Sequence, residues 1–285
     1  MINQAIKRFR LGSRSVGIGF RFEISDWIEE HIHEFDVLEL TVDHYLNARP
    51  YQKDLLQELA KQIPFAFHGV GLSIGTSRLP EKKYLKEVAR CIEIFNTPWY
   101  SEHLAFTKVP GRDLSQLLPL PRTKDTAREV MKNINFVKAA IPVPLVLENI
   151  TYYYDYPVSE MTENQFLELV LGETGTFLLL DIENVFLNSQ NHGFDPFSFV
   201  DSLPAGIVKA MHMAGGERTK DLLLDTHNQP VPLDAFRVYE HALKRYNPDV
   251  IILERDDRLE QSGEILYDVC KLKQIACTIL APESR

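Results

Sequence analysis

Six short apolar runs in this chain each end on a side chain that can bind a metal. They are A-F-H with His68, W-Y-S-E-H with His103, L-V-L-E with Glu148, F-L-L-L-D with Asp181, V-K-A-M-H with His212 and V-I-I-L-E with Glu254. A neutral imidazole offers one nitrogen lone pair to a borderline cation, and a carboxylate can bridge two. Histidine mixed with Asp and Glu, without cysteine, suits iron, manganese or zinc. Calcium prefers oxygen-only shells. The segment D-T-H adds Asp225 and His227, and Asn184 offers an amide oxygen three residues after Asp181. One ion takes three or four protein ligands, so this donor set points to two or three ions. Carboxylates crowded into one cleft repel each other and raise their own pKa values, a conflict that cations remove. Metal-free protein should therefore be less stable and should take up ions with release of protons.

Taken singly, each residue has a plainer explanation. A histidine at a strand end is usually a hydrogen-bonded structural residue. Asp181 could cap a helix, and Glu254 could be a solvated charge near Arg258. The recurrence at successive strand ends is what favours a shared site. His31, His33, His44 and His241 fall on helix or loop positions and read as surface or packing residues, while His192 in N-H-G fits either a loop turn or an outer contact.

The elements that must gather these side chains follow from the hydrophobic pattern. Strands are expected at 16–20, 37–40, 66–68, 99–103, 145–148, 177–181, 207–212 and 250–254. Between them lie helix-like stretches at about 51–62, 81–95, 161–171, 234–246 and 260–274, and Ser25 can cap another that begins near Asp26. A further helix, opened by Thr123 or Asp125, carries Val130, Ile134 and Val137 at helical spacing. A long loop with Pro110, Pro119 and Pro121 follows the fourth strand, and a polar loop with a short helical piece after Asp195 follows the sixth. Eight strands alternating with helices give an α/β fold, a single (β/α)8 barrel over residues 15–285 preceded by an exposed basic arm at 1–14. Strand C-termini share one rim of such a barrel. A doubly wound sheet is the competing fold, but it would gather function near one switch point.

Composition narrows the function classes. Acidic residues outnumber basic ones 40 to 31, giving a net charge of -9, which argues against a nucleic-acid coat. No apolar stretch is long enough for a membrane span, and the start, with Lys7, Arg8, Arg10 and Arg14, lacks the apolar segment of a secretory signal. Cys91, Cys270 and Cys277 form no CxxC pair and read as reduced, mostly packed thiols of a cytoplasmic protein. The loop G-V-G-L-S-I-G lacks the lysine of a P-loop and the spacing of a dinucleotide fingerprint, and no G-x-S-x-G is present. Tyr152, Tyr153, Tyr154 and Tyr156 form either a packed lid on the rim or a substrate mouth, with the lid slightly favoured.

The segments G-I-G-F-R, H-G-V-G-L-S-I-G, S-E-H-L-A-F, L-E-N-I, L-L-D-I-E-N, H-M-A-G-G, D-T-H and L-E-R-D occur in that order over residues 15–275. Together they closely resemble the multinuclear non-haem iron-dependent oxidative enzymes, a former domain-of-unknown-function family. It includes the iron oxygenase of methanobactin biosynthesis and enzymes that modify cysteines of ribosomally made peptides. The resemblance implies a TIM-type, xylose-isomerase-like barrel, two or three irons in mixed Fe(II)/Fe(III) states, and O2 as co-substrate. It also implies a Cys-containing precursor peptide as substrate and a small peptide-presenting partner protein. His68, His103, Glu148, Asp181, Asn184, His212, Asp225, His227 and Glu254 match the family's metal positions, and Asp256 in E-R-D is a candidate catalytic acid–base or outer residue. The chain departs from its relatives at Gly216, where a histidine is often found, and at Glu183, where a neutral residue is expected.

Two other functions use the same residues. A xylose-isomerase-like isomerase or an endonuclease-type phosphodiesterase would use zinc or manganese to activate water or substrate. A non-catalytic scaffold would use metals for stability alone and bind a partner, but structural sites are closed by four protein ligands, which this donor count over three ions does not provide.

Overall fold

The computed structural model describes residues 11–109 and 111–280. Eight parallel strands close into a barrel: β1 (Ser15–Gly19), β2 (Val37–Thr41), β3 (Phe65–Gly69), β4 (Tyr100–His103), β5 (Leu145–Glu148), β6 (Phe177–Asp181), β7 (Val208–Met213) and β8 (Val250–Leu253). Each strand pairs with its neighbours in sequence, and β1 closes the ring against β8. The strands are nearly continuous apolar runs because both faces are covered, by the helical layer outside and by the barrel interior within. Gly17 permits the close approach of β1 to β2, since a Cβ there would stand 1.8 Å from the Val37 carbonyl oxygen.

The interior is layered. Val37, Ala66, Val146, Leu179, Ala210 and Ile252, each from a different strand, pack in one apolar cluster with Trp99 and Val250. Side chains two residues apart point to the same face of a strand. Two positions further along those six strands stand Glu39, His68, Glu148, Asp181, His212 and Glu254. An oily plug thus floors the barrel, and the next layer toward the C-terminal rim is polar. Active sites of such barrels are built at this rim.

The expected helices are present with shifted ends. Thr123 caps the helix Lys124–Lys138 by accepting from Thr126 N, and Thr162 caps Glu163–Thr174 in a capping box with Gln165. Four expectations need correction. Ser25 is the first residue of its helix, not the cap, and makes no capping bond. The supposed loop after β4 is a two-stranded ribbon, Phe106–Val109 against Arg112–Leu118; Pro110 lies outside the described residues. The stretch after β6 is a helix, Ile182–His192. Its polar residues escaped notice because they face protein: Asn188 accepts from Tyr152 N and donates to the Ile150 carbonyl. Finally, a short helix, Val42–Asn47, follows β2 directly.

Residues 1–10 of the basic arm lie outside the described residues. Arg14, its end, is half-buried and pinned to the helix Leu233–Arg245 by Nη2 donating to the Leu243 carbonyl at 2.8 Å. Cys91 is buried, whereas Cys270 and Cys277 are exposed, so the thiols are not mostly packed. No helix among the described residues is long and apolar enough to cross a membrane.

Candidate metal centre

Four imidazoles are each tied down by one nitrogen. Ser101 Oγ gives its own proton to the Phe67 carbonyl, so His68 Nδ1 at 3.1 Å must be the donor to it. His103 Nδ1 donates to the Gly69 carbonyl at 3.2 Å. His212 Nε2 donates to Glu39, and His227 Nδ1 donates to Asp256 Oδ2 at 3.0 Å. The opposite nitrogen of each ring is turned toward the other donors, and it is the atom a metal would take on displacing its proton.

Those nitrogens converge on carboxylates. His68 Nε2, His103 Nε2 and Glu148 Oε2 form a nearly equilateral triangle with sides of 3.3, 3.3 and 3.4 Å. Cis donors on a six-coordinate ion with bonds of about 2.1 Å stand about 3 Å apart, so the triangle has the size of one octahedral face. A proton between His68 Nε2 and His103 Nε2, 3.3 Å apart, or a cation in its place, keeps their lone pairs from facing each other bare. The other oxygen, Glu148 Oε1, faces His212 Nδ1 at 3.3 Å. Glu148, Asp181, His212 and Glu254 then make a second group whose donor atoms lie within 4.8 Å of one another. Asp225 Oδ1 and His227 Nε2, 2.7 Å apart, form an outer pair, which Glu254 Oε2 joins to the second group at 3.6 Å from His227 Nδ1.

The buried donors fit a cation. Glu148 Oε2, Asp181 Oδ2, His212 Nδ1, Asp225 Oδ1 and His227 Nε2 are all buried without a hydrogen-bond partner. Unpaired buried polar atoms are costly and rare, and although Asp225 Oδ1 and His227 Nε2 face each other as an ion pair, such a cluster at one rim fits a bound positive ion. Titration agrees. Burial, and then the charge of Glu148, push the Asp181 carboxyl well above the usual range. Burial works against the charge of Glu148 too, but the imidazoles of His103, His212 and His68 outweigh it and hold that carboxyl down at about 2. Burial likewise opposes charge on His103, where Glu148 and Glu102 prevail and push the ring up to about 9.

Asp181 does both things expected of it: Oδ1 caps the helix Ile182–His192 by accepting from Asn184 N at 2.7 Å, and Oδ2 points free into the site. Glu254 faces His212, not Arg258. Asn184 Oδ1 accepts from the Thr151 hydroxyl, and its amide donates to the Asn149 carbonyl at 2.9 Å. Asp256 lies at the mouth between His227 and Arg21, whose Nε donates to it at 3.0 Å. The two departures noted in the sequence meet, Gly216 N donating to Glu183 Oε1 at 2.8 Å.

Three participants escaped the sequence reading. Glu39 lies inside V-L-E-L-T, not at the end of an apolar run, so strand-end logic passed over it. Glu102 accepts from Leu72 N, the Tyr100 hydroxyl and His103 N, and so fixes both the loop and the ligand beside it. Asn149 accepts from Asp181 N. The E-N of L-E-N-I was the available signal for the last.

The tyrosines divide. Tyr152 is buried, its ring stacked on His192 with centroids 4.4 Å apart, as a packed lid requires. Tyr153 and Tyr154 are exposed, and the Tyr153 oxygen accepts from Asp225 N at the mouth at 3.0 Å. His192 also contacts the Tyr152 carbonyl, so it serves the lid and not the donor cluster.

The chain has relatives among known proteins. Residues 15–277 match the family described as RiPP precursor modification enzyme MbnB/TglH/ChrH. A UPF0276 protein of Acaryochloris marina is 34% identical over 265 residues, covering 93% of this chain and 95% of its own. One from Caulobacter vibrioides is 32% identical over 234 residues, 82% of this chain and 84% of its own. Among solved structures, the 3-keto-D-glucoside 4-epimerase YcjR of E. coli superposes with a TM-score of 0.61 at 14% identity, over 92% of this chain and 99% of that one. A xylose isomerase domain protein from Planctomyces limnophilus gives 0.60 at 13%, over 94% and 99%. At such identities the two structures speak for the barrel fold alone.

Proposed function

This chain belongs to the MbnB/TglH/ChrH family of RiPP precursor modification enzymes, and on that premise we propose that it is an iron-dependent, O2-using enzyme that oxidatively modifies a precursor peptide at cysteine. The observation that carries the metal choice is the triangle of His68, His103 and Glu148. Two histidines and one carboxylate on a single face, with the opposite face open, are the donor set of non-haem Fe(II) sites that react with O2.

In this reading the triangle holds one iron and Glu148, Asp181, His212 and Glu254 hold a second. Asn184, Asp225 and His227 supply a third position, the outermost. Iron bound there supplies one-electron redox chemistry with O2 and lowers the pKa of a cysteine thiol. The chain's own groups do the rest. Ser101, Gly69, Glu39 and Asp256 keep one proton on each imidazole, at His68 Nδ1, His103 Nδ1, His212 Nε2 and His227 Nδ1. Asp256 thus acts as a positioning residue at the mouth, with Arg21 holding its other oxygen. The apolar layer beneath excludes water from the floor, and a peptide enters past the exposed Tyr153 and Tyr154. Presentation by a small partner protein and a cytoplasmic setting complete the proposal.

The deciding experiment is metal analysis of anaerobically purified protein, followed by O2 uptake with a Cys-containing peptide. Two or three irons per chain and peptide-dependent O2 consumption are expected. Tightly bound zinc without O2 uptake would overturn the reading in favour of hydrolytic or isomerase chemistry.

A further inference from the structure

The segment G-V-G-L-S-I-G, residues 69–75, runs on from β3 just beyond His68 and is held along its length. Val70 N donates to Asp43 Oδ2 at 2.9 Å, Leu72 N to Glu102 Oε2 at 3.0 Å and Gly75 N to the Ala105 carbonyl at 2.9 Å. The ribbon Phe106–Val109/Arg112–Leu118 is tied to it in turn. Ser73 Oγ accepts from Thr107 N and Lys108 N at 2.8 and 3.1 Å, and Lys108 Nζ donates to the Gly71 carbonyl at 2.6 Å. With its amides engaged in this way, the loop is a rigid wall and not a phosphate cradle.

Between that wall, the residues that follow it and the tip of the ribbon lies a cleft of about 540 Å³. Built ligand sites span roughly 300–1,000 Å³, so the size is that of a binding site. Arg78, Lys108 and Arg112 line it against Glu81 and Asp113, an excess of positive charge in a chain whose net charge is -9. Arg122 and Arg128 are each paired with an aspartate, whereas Arg78, Lys108 and Arg112 form no ion pair among the described residues. Asp113 turns one oxygen to Ser115 N at 2.9 Å. Leu79 and Val109 line the same cleft and stay exposed. Clustered exposed apolar side chains mark interaction sites, and cations among them select an anionic partner. A phosphate or a sugar would leave Leu79 and Val109 uncovered; a peptide with acidic and apolar residues would use both kinds of contact.

Resting on the peptide-substrate reading above, we infer that this cleft docks an acidic, apolar-containing segment of the precursor peptide, apart from the residue that is modified. Carboxylates of that segment pair with Arg78, Arg112 and the remaining protons of Lys108 Nζ, and its apolar side chains cover Leu79 and Val109. Both walls are continuous with the donor triangle, since the loop leaves β3 directly after His68 and the ribbon begins shortly after His103. A peptide anchored here is tethered beside the metal centre, which raises the effective concentration of its reacting residue there.

The test is fluorescence anisotropy of the metal-free full chain with a labelled peptide of alternating glutamate and leucine. A serine–leucine peptide and a labelled single-stranded oligonucleotide serve as comparisons. Wild type should bind the glutamate peptide, less tightly as salt rises, and bind both comparisons about tenfold more weakly or worse. Arg78→Ser with Arg112→Ser should weaken the glutamate peptide by about tenfold. Leu79→Ser with Val109→Ser should also weaken it but keep the salt dependence. Thermal melts and metal content of these surface variants, expected as in wild type, separate a folding defect from a binding defect. The proposal fails if wild type does not bind the glutamate peptide, or if the arginine variant binds it as wild type does. It fails equally if the oligonucleotide binds as tightly and is lost with the same arginines. Wild type that holds no iron would overturn the oxidative reading alone, because the binding assay contains no metal.

Discussion

His212 Nε2 lies 3.1 Å from Glu39 Oε2, wholly inside the barrel, while the Nδ1 of the same ring faces Glu148 and Glu254. Glu39 therefore decides which nitrogen of His212 carries the proton. Glu39→Gln should keep the fold but cost about 10–100-fold in affinity for the metal at the second group, by analogy with other outer carboxylates. Competitive chelator titration checks this; an unchanged affinity would remove Glu39 from the positioning set.

Glu148 serves two donor groups, and His227 serves one. Glu148→Ala should lose at least two metal equivalents, and His227→Ala only one. Metal content per chain after desalting distinguishes them. Equal losses would mean that the two Glu148 oxygens do not hold separate ions.

Stripping metal with a chelator should lower the melting temperature, because five buried donor atoms then lack partners. Binding to the folded state alone stabilises it by about 2.7 kcal/mol at a hundredfold excess over Kd. Reloading in weak buffer should release protons, since the rings and carboxylates must be deprotonated to coordinate. Metal addition without a melting shift would count against a site built on these atoms.

Most of this architecture was legible in the sequence, and the reasons are specific. Strands such as F-L-L-L-D are buried on both faces, so a single polar residue at the end stands out. Asp225 and His227 were visible only through the D-T-H segment and lie on a strap, where no periodicity points to them. Glu39 was hidden because β2 continues for two apolar-to-neutral residues beyond it. Its register against Ala66 puts it beside the floor of the site, a fact that pairing alone reveals. The helix Ile182–His192 was hidden by Asn side chains that bond to neighbouring loops, so its composition mimics a solvated turn.

Glu163 gives a pH signature away from the metal. Burial, opposed by Arg122, pushes its carboxyl up to about 7 from an ordinary value of 4.5. The folded protein thus keeps a proton that the unfolded chain has already released, and stability falls as pH rises across that window. In Glu163→Gln this loss should vanish. Urea melts of both proteins between the two values test it; parallel curves would show that Glu163 titrates normally.

Arg255 is buried beside Glu254, with Nη1 donating to the Asn228 carbonyl at 3.4 Å and Nη2 lying 3.6 Å from the buried Asp268. Arg255→Ala strands that carboxylate and should destabilise by about 3–5 kcal/mol. Chemical denaturation measures it. A smaller cost in Arg255→Ala, Asp268→Asn would confirm that the pair, not the lost volume, is responsible.

Because one carboxylate is divided between two donor groups, ions bound as proposed would not be acquired independently. If the proposed ions bind there, the first would fix the Glu148 plane and so pre-arrange the oxygen that the second requires. Ordering shared in this way is positive cooperativity. Partly filled molecules should then be scarce at any iron supply, and the population should pass from empty to filled over a narrow range of free metal. The supply of iron would thus set how many molecules are active more than how active each one is.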